Sequence, residues 1–115
     1  MIVRSWSGTT PAAKSEAYAE YLSATGAKQC LATPGNRGVF VLRRPQPDDT
    51  TEFVFVSLWD SMDAIRQFAG EEVERAVYYP EDREFLLKMD PNVAHYELLR
   101  WEQPRSSAQA ATAKL

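Results

Sequence analysis

The stretch Thr51–Trp59, TEFVFVSLW, constrains this chain more than any other. Its β-branched and aromatic content marks a strand. Side chains alternate along a strand, so Phe53, Phe55, Ser57 and Trp59 share one face and Val54, Val56 and Leu58 the other. Both faces are apolar, whereas an antiparallel sheet with one wet face carries polar residues on it. The segment Gly38–Arg43 repeats the pattern, with Val39 and Val41 on one side and Phe40 and Leu42 on the other. Burying one large apolar side chain is worth roughly 1.5–3 kcal/mol. Leaving Val54, Val56 and Leu58 wet would consume much of a small domain's stability. The sheet therefore needs two covers, and one chain's helices supply only one. A second copy packed through a two-fold axis is the expected other cover; the competing reading folds the 71–92 segment over that face.

Around this ribbon the chain divides into recognisable elements. Met1–Ser7 reads as a short strand. Thr10 is the expected N-cap of a helix with Pro11 at its first position. Ala13, Ala17, Tyr18, Tyr21 and Leu22 form its apolar stripe, and Gly26 its stop. Pro34-Gly35-Asn36 reads as a connection. Pro45, Pro47 and Asp48-Asp49 make a loop between the two central strands, long for a tight hairpin. Asp60 or Ser61 caps a second helix, whose Ile65, Phe68 and Ala69 face inward and which ends at Gly70. Glu71–Tyr79 reads as helical, and Pro80 opens a further helical stretch, EDREFLLKM, closed by Asp90-Pro91-Asn92. Val93–Glu102 is the last strand. The order β-α-β-β-α-β predicts an α+β, ferredoxin-like domain with a four-stranded antiparallel sheet over residues 1–102. Residues 103–115, small and polar without periodicity, are expected to form a flexible tail.

Composition narrows the function classes. The 115 residues fit one domain, and 13 Lys+Arg against 16 Asp+Glu give a net charge of −3. With no basic stripe, neither nucleic acid nor an anionic membrane is an expected partner. Cys30 is the single cysteine and His95 the single histidine, which excludes an intramolecular disulfide, a CxxC metal site and any site needing two His ligands from one chain. No apolar run approaches the ~20 residues needed to span a bilayer, and no signal-peptide core is present, so a cytoplasmic protein is expected. The final Ala113-Lys114-Leu115 is similar to a peroxisomal Ser-Lys-Leu address, a match too short to assign a compartment.

An aromatic-rich third strand ending at Trp59, running into LWDSMDAIRQFAG and then VERAVYYPED, with a closing His95-Tyr96-Glu97, resembles the antibiotic-biosynthesis-monooxygenase-like family of dimeric α+β barrels. The resemblance covers residues 1–102. It implies two protomers packed sheet to sheet, each with a small pocket between sheet and helices. It also implies a cofactor-independent monooxygenase acting on a small aromatic or polyketide-like compound; the alternative is a non-catalytic protein of the same fold that binds a small hydrophobic ligand. The haem-degrading branch pairs a strand-end Trp with an Asn on the first strand and a helical His. Trp59 matches the first, but Trp6 and Ser7 stand where the Asn belongs and Tyr78 where the His belongs, so haem degradation is not expected.

An oxygenase without a cofactor uses its substrate as the reductant. Its protein must bind an acidic phenol or enol, help remove a proton, and exclude water. His95 is the candidate base, because its ordinary pKa lies near neutrality; its competing role is that of a hydrogen-bonded, partly buried strand residue. Trp59, Trp6, Tyr78, Tyr79, Tyr96 and Phe68 are the candidate pocket residues. Each has a purely structural alternative: Trp59 as core, Trp6 and Trp101 as packing or interface anchors, and Tyr78-Tyr79 as caps of a helix break. Arg4, Arg43 and Arg100 suit an anionic ligand or ion pairs with Glu52 and Glu97. Cys30 is expected to be inert, and the 71–84 charge run a solvated helix face.

Overall fold

The computed structural model describes residues 1–104. The tail expected over 103–115, with Ala113-Lys114-Leu115, lies outside the described residues beyond Pro104.

Four strands, β1 (Ile2–Pro11), β2 (Asn36–Gln46), β3 (Thr50–Trp59) and β4 (Ala94–Glu97), form one antiparallel sheet in the order β2-β3-β1-β4. This is the ferredoxin-like arrangement, with the two strands of highest apolar content adjacent and β1 inserted before β4. The central pairing sets Ile2 opposite Trp59, Arg4 opposite Ser57, Trp6 opposite Phe55 and Gly8 opposite Phe53. One face of the sheet therefore carries Arg4, Trp6, Phe53, Phe55, Ser57 and Trp59, and the helices cover it.

Several boundaries differ from the sequence reading, each for a physical reason. β1 continues to Pro11, pairing as far as Thr50, so Thr10 is not a helix cap; its hydroxyl is buried in the strand without a partner. The first helical segment opens with one tight turn, Ala12–Lys14, and continues as α1 (Ser15–Leu22), a wide π turn (Ser23–Ala27) and α2 (Lys28–Ala32). Gly26 does not stop it. Tyr18, Leu22, Gly26 and Cys30 all face inward, four residues apart, whereas Ala13 and Ala17 are exposed. A 3.6-residue turn drifts about 40° over each four-residue step, and the wider π turn takes that drift back. The same face thus stays on the sheet for the whole length.

β2 and β3 are joined by a three-residue turn, Pro47–Asp49, tighter than the loop expected. Pro45 lies within the edge strand β2, where a missing N–H is tolerated, and Asp49 takes the left-handed conformation at φ 63° that closes such a turn. α3 (Met62–Ala69) begins where the Ser61 hydroxyl accepts from the Ala64 N–H at 3.1 Å and ends on Gly70 at φ 84°.

The helix expected over Glu71–Tyr79 is absent, and the one expected after Pro80 shrinks to a single turn, α4 (Asp82–Phe85). The backbone groups of 73–76 are committed elsewhere. The Arg4 guanidinium donates to the carbonyls of Val73 and Arg75, Ala76 N–H donates to Pro91 O, and Val93 N–H donates to Glu74 O. The last strand is correspondingly short, Ala94–Glu97 rather than Val93–Glu102, and Trp101 is exposed beyond it.

Two apolar clusters fill the covered side: Tyr18, Leu22, Phe53 and Leu86 in one, Cys30, Trp59, Ile65 and Val73 in the other. On the opposite sheet face the described residues bury Leu58, at 6% exposure, and half-bury Val54 and Val56, but they do not close the part towards β2 and β4. Phe40 and Leu42 are 49% and 52% exposed, and Tyr96 stands 58% exposed opposite Val3. The 71–92 segment does not shield them; it packs on the helix side, through Val73, Asp82 and Leu86.

Candidate functional site

Between the sheet and its cover lies a recess lined by Arg4, Trp6 and Phe55 from the sheet, Tyr18, Leu22 and Gly26 from the first helical segment, Phe68 from α3, and Val77, Tyr78, Tyr79, Asp82 and Val93 from the irregular cover. Its free volume is about 50 Å³. A cavity of roughly 150 Å³ holds a benzene ring. The recess as it stands is partly open to solvent and encloses less than such a ring; the wall with the least regular hydrogen bonding is the 76–93 cover. Segments of that kind open at low cost.

Geometry at β1 builds the sheet side. Gly8, two residues from Trp6 on the same face, leaves room for the indole: a Cβ there would stand 2.4 Å from Trp6 Cη2. Trp6 Nε1 donates to the Tyr78 hydroxyl at 3.1 Å, and that hydroxyl donates in turn to the Asp90 carbonyl. Tyr18, wedged edge-on against Phe53 with centroids 5.1 Å apart, donates to Asp82 Oδ1 at 3.2 Å. Asp82 Oδ2 accepts from the Tyr79 N–H at 2.6 Å. Burial pushes the Asp82 carboxyl above its ordinary range, and these two donors pull the other way. Burial also pushes Tyr79 up to about 12, so the phenol stays neutral.

Arg4 is 4% exposed. Its Nη1 donates to Val73 O at 2.5 Å and stands 3.0 Å from His95 Nε2; its Nη2 donates to Arg75 O at 2.8 Å. Arginine can only donate, so Nε2 accepts and the His95 proton sits on Nδ1. Burial first, and then the neighbouring guanidinium, hold His95 below its ordinary pKa. Three of the five guanidinium N–H bonds are thus engaged, which leaves two. Among the described residues no carboxylate lies within ion-pair distance of Arg4, and no cation within that distance of Asp82.

Of the residues singled out from sequence, Trp6, Phe68, Tyr78 and Tyr79 stand in the recess wall. Trp59 does not: it is fully buried in the second core cluster, where its Nε1 donates to Ser57 Oγ at 2.8 Å. Tyr96 is on the opposite sheet face. His95 reaches Arg4 rather than the wall. Arg43 pairs with Glu16 and Arg100 with Glu102, both at the surface. Cys30 is fully buried, and burial pushes its thiol up to about 12. Asp82 was hidden in the charge run. A usable signal was local: an acid two residues after Pro80 is placed to reach back to the N–H before the proline, as in a capping box. Among the described residues no group of three or more His, Cys, Asp or Glu is placed to hold a metal ion, and no helix is long and apolar enough to cross a membrane.

These features define a ferredoxin-like α+β domain with an aromatic recess under its sheet. The model of the antibiotic biosynthesis monooxygenase family matches residues 1–77, and the chain belongs to that family. Among solved structures it is similar to the "Putative antibiotic biosynthesis monooxygenase from Nitrosomonas europaea", with a TM-score of 0.59, 16% identity, and coverage of 87% of this chain and 100% of the other. At that identity the likeness speaks to the fold. A search of curated proteins found no match.

Proposed function

We propose that this protein is a cofactor-independent monooxygenase acting on a small aromatic or polyketide-like compound that binds in the recess as a phenolate or enolate. Family membership supports a monooxygenase-type activity. The observation that carries the finer reading is Arg4, a buried cation in an aromatic wall with N–H bonds to spare and, among the described residues, no carboxylate within ion-pair distance, Glu74 acting on it only from farther off. A buried charge is costly unless it is compensated. An anionic oxygen in the recess compensates it and is itself stabilised there, as developing charge is by a preorganised donor. His95 works through Arg4 in this reading, holding the guanidinium in place with a neutral ring. With the substrate as reductant, a methylene carbon and O₂ give a carbonyl and water, and both oxygen atoms are accounted for without a cofactor.

The apolar sheet face of Phe40, Leu42, Val54 and Val56 is, in the same reading, the contact between two protomers of a homodimer. Oxygen uptake with a panel of anthrone- and quinol-type compounds tests the activity. Uptake by the native protein and its loss in Arg4→Met are expected. Tight binding of the panel without any uptake would instead favour the reading of a protein that only holds a small hydrophobic ligand.

A further inference from the structure

The recess contains a second buried charge that the reading above leaves without a task. Asp82 is 3% exposed and lines the same wall as Arg4, yet no cation lies within ion-pair distance of it. Its two hydrogen bonds, from Tyr18 Oη and Tyr79 N, use two of about four acceptor positions on the carboxylate. The side chain is held at both oxygens, and Tyr18 is itself fixed by Phe53 and Phe85. A buried acid without a counter-ion, held at both oxygens in the wall of a cavity, is what a proton acceptor requires.

We propose that Asp82 is the catalytic base of this recess, with Arg4 as its oxyanion partner. The proposal rests on the reading of the recess as a monooxygenase site and assigns the proton acceptor for a carbonyl compound with an acidic C–H. The carbonyl oxygen accepts from the free N–H bonds of Arg4. The C–H bond breaks, its proton passes to a carboxylate oxygen of Asp82, and its electron pair moves through the new C=C bond onto the oxygen facing Arg4. The two protein charges are then each matched: Asp82 is neutral and Arg4 faces an enolate. Dioxygen takes the electrons of that enolate. The proton held by Asp82 returns to the resulting peroxide, which loses water to leave a second carbonyl. Tyr18 is a positioning residue, since it orients Asp82 Oδ1 without needing to ionise.

The test separates proton transfer from oxidation. Anthrone and indan-2-one are incubated without oxygen in D₂O, and exchange of their acidic C–H is followed by NMR. Native protein is expected to accelerate exchange over buffer. Asp82→Asn is isosteric, and its amide can accept from Tyr79 N–H and donate to Tyr18 Oη; it is expected to lose about 10²-fold or more of that acceleration. Tyr18→Phe removes a donor that lowers the Asp82 pKa, so the acid limb of the exchange profile should move to higher pH. A purely structural role for Tyr18 would leave the limb in place. No acceleration by native protein, or equal acceleration by Asp82→Asn, overturns the proposal. Oxygen uptake in air is read separately. Uptake that survives Asp82→Asn defeats this assignment and spares the monooxygenase reading, whereas exchange without uptake does the reverse.

Discussion

The uncovered sheet face makes a quantitative demand. Phe40 and Leu42 each leave about half of their surface in water, at 49% and 52%. Full burial of such a side chain is worth roughly 1.5–3 kcal/mol, so covering the exposed half contributes about 1 kcal/mol apiece. In the proposed homodimer a two-fold contact counts each residue twice. Phe40→Ser combined with Leu42→Ser then removes about 4 kcal/mol from the association, which corresponds to roughly 10³-fold in Kd. The subunit fold should survive, because the substitutions act on side chains that are already half wet. Sedimentation equilibrium across a dilution series reads the constant directly, with circular dichroism as the check on folding. A native protein that sediments as a single subunit at micromolar concentration would refute the reasoning, as would a double variant with the native Kd.

Three further perturbations follow from local geometry. Gly8→Ala places a Cβ 2.4 Å from Trp6 Cη2 and 3.0 Å from Leu86 Cδ2; a loss of about 1–3 kcal/mol is expected in urea unfolding, together with a change in Trp6 fluorescence as the indole leaves Tyr78. Ser61→Ala removes the side-chain acceptor at the start of α3 and should cost about 1 kcal/mol, seen as a fall in Tm of roughly 4–8 °C. His95 binds a proton less readily folded than unfolded. Between its lowered pKa and the ordinary 6.5 the unfolded chain therefore holds more protons, and stability falls as pH drops through that window. Urea midpoints measured from neutrality to about pH 5 should show this slope in the native protein and lose it in His95→Gln.

What the sequence disclosed was whatever depended on neighbours along the chain. The alternating apolar faces of Thr51–Trp59 gave the central strand, and of the two cap candidates Asp60 and Ser61 it is Ser61 that opens α3, with Gly70 ending it as expected. The 71–92 segment was misread because its helix-forming residues are overruled from a distance. Arg4, 69 and 71 positions away, captures the carbonyls of Val73 and Arg75, and residues 91 and 93 take the neighbouring backbone groups. The same long reach hid the site. Trp59 looked like a pocket residue because it ends a strand, but the register turns it into the core against Ile65 and Phe68. His95 attracted attention through its ordinary pKa, and only the β1–β4 pairing, which sets it opposite Arg4, reveals its partner. Asp82 looked like one charge among many until the tyrosines closed around it.

The three hydrogen bonds that Arg4 makes to Val73, Arg75 and His95 have a mechanical consequence. One guanidinium on the first strand is the clasp that holds down a stretch without regular secondary structure, and in the proposed function it is also the cation a guest would seek. Whatever draws that head group out of line tugs on the clasp, so under the proposed function loading the cavity and loosening its roof become a single event.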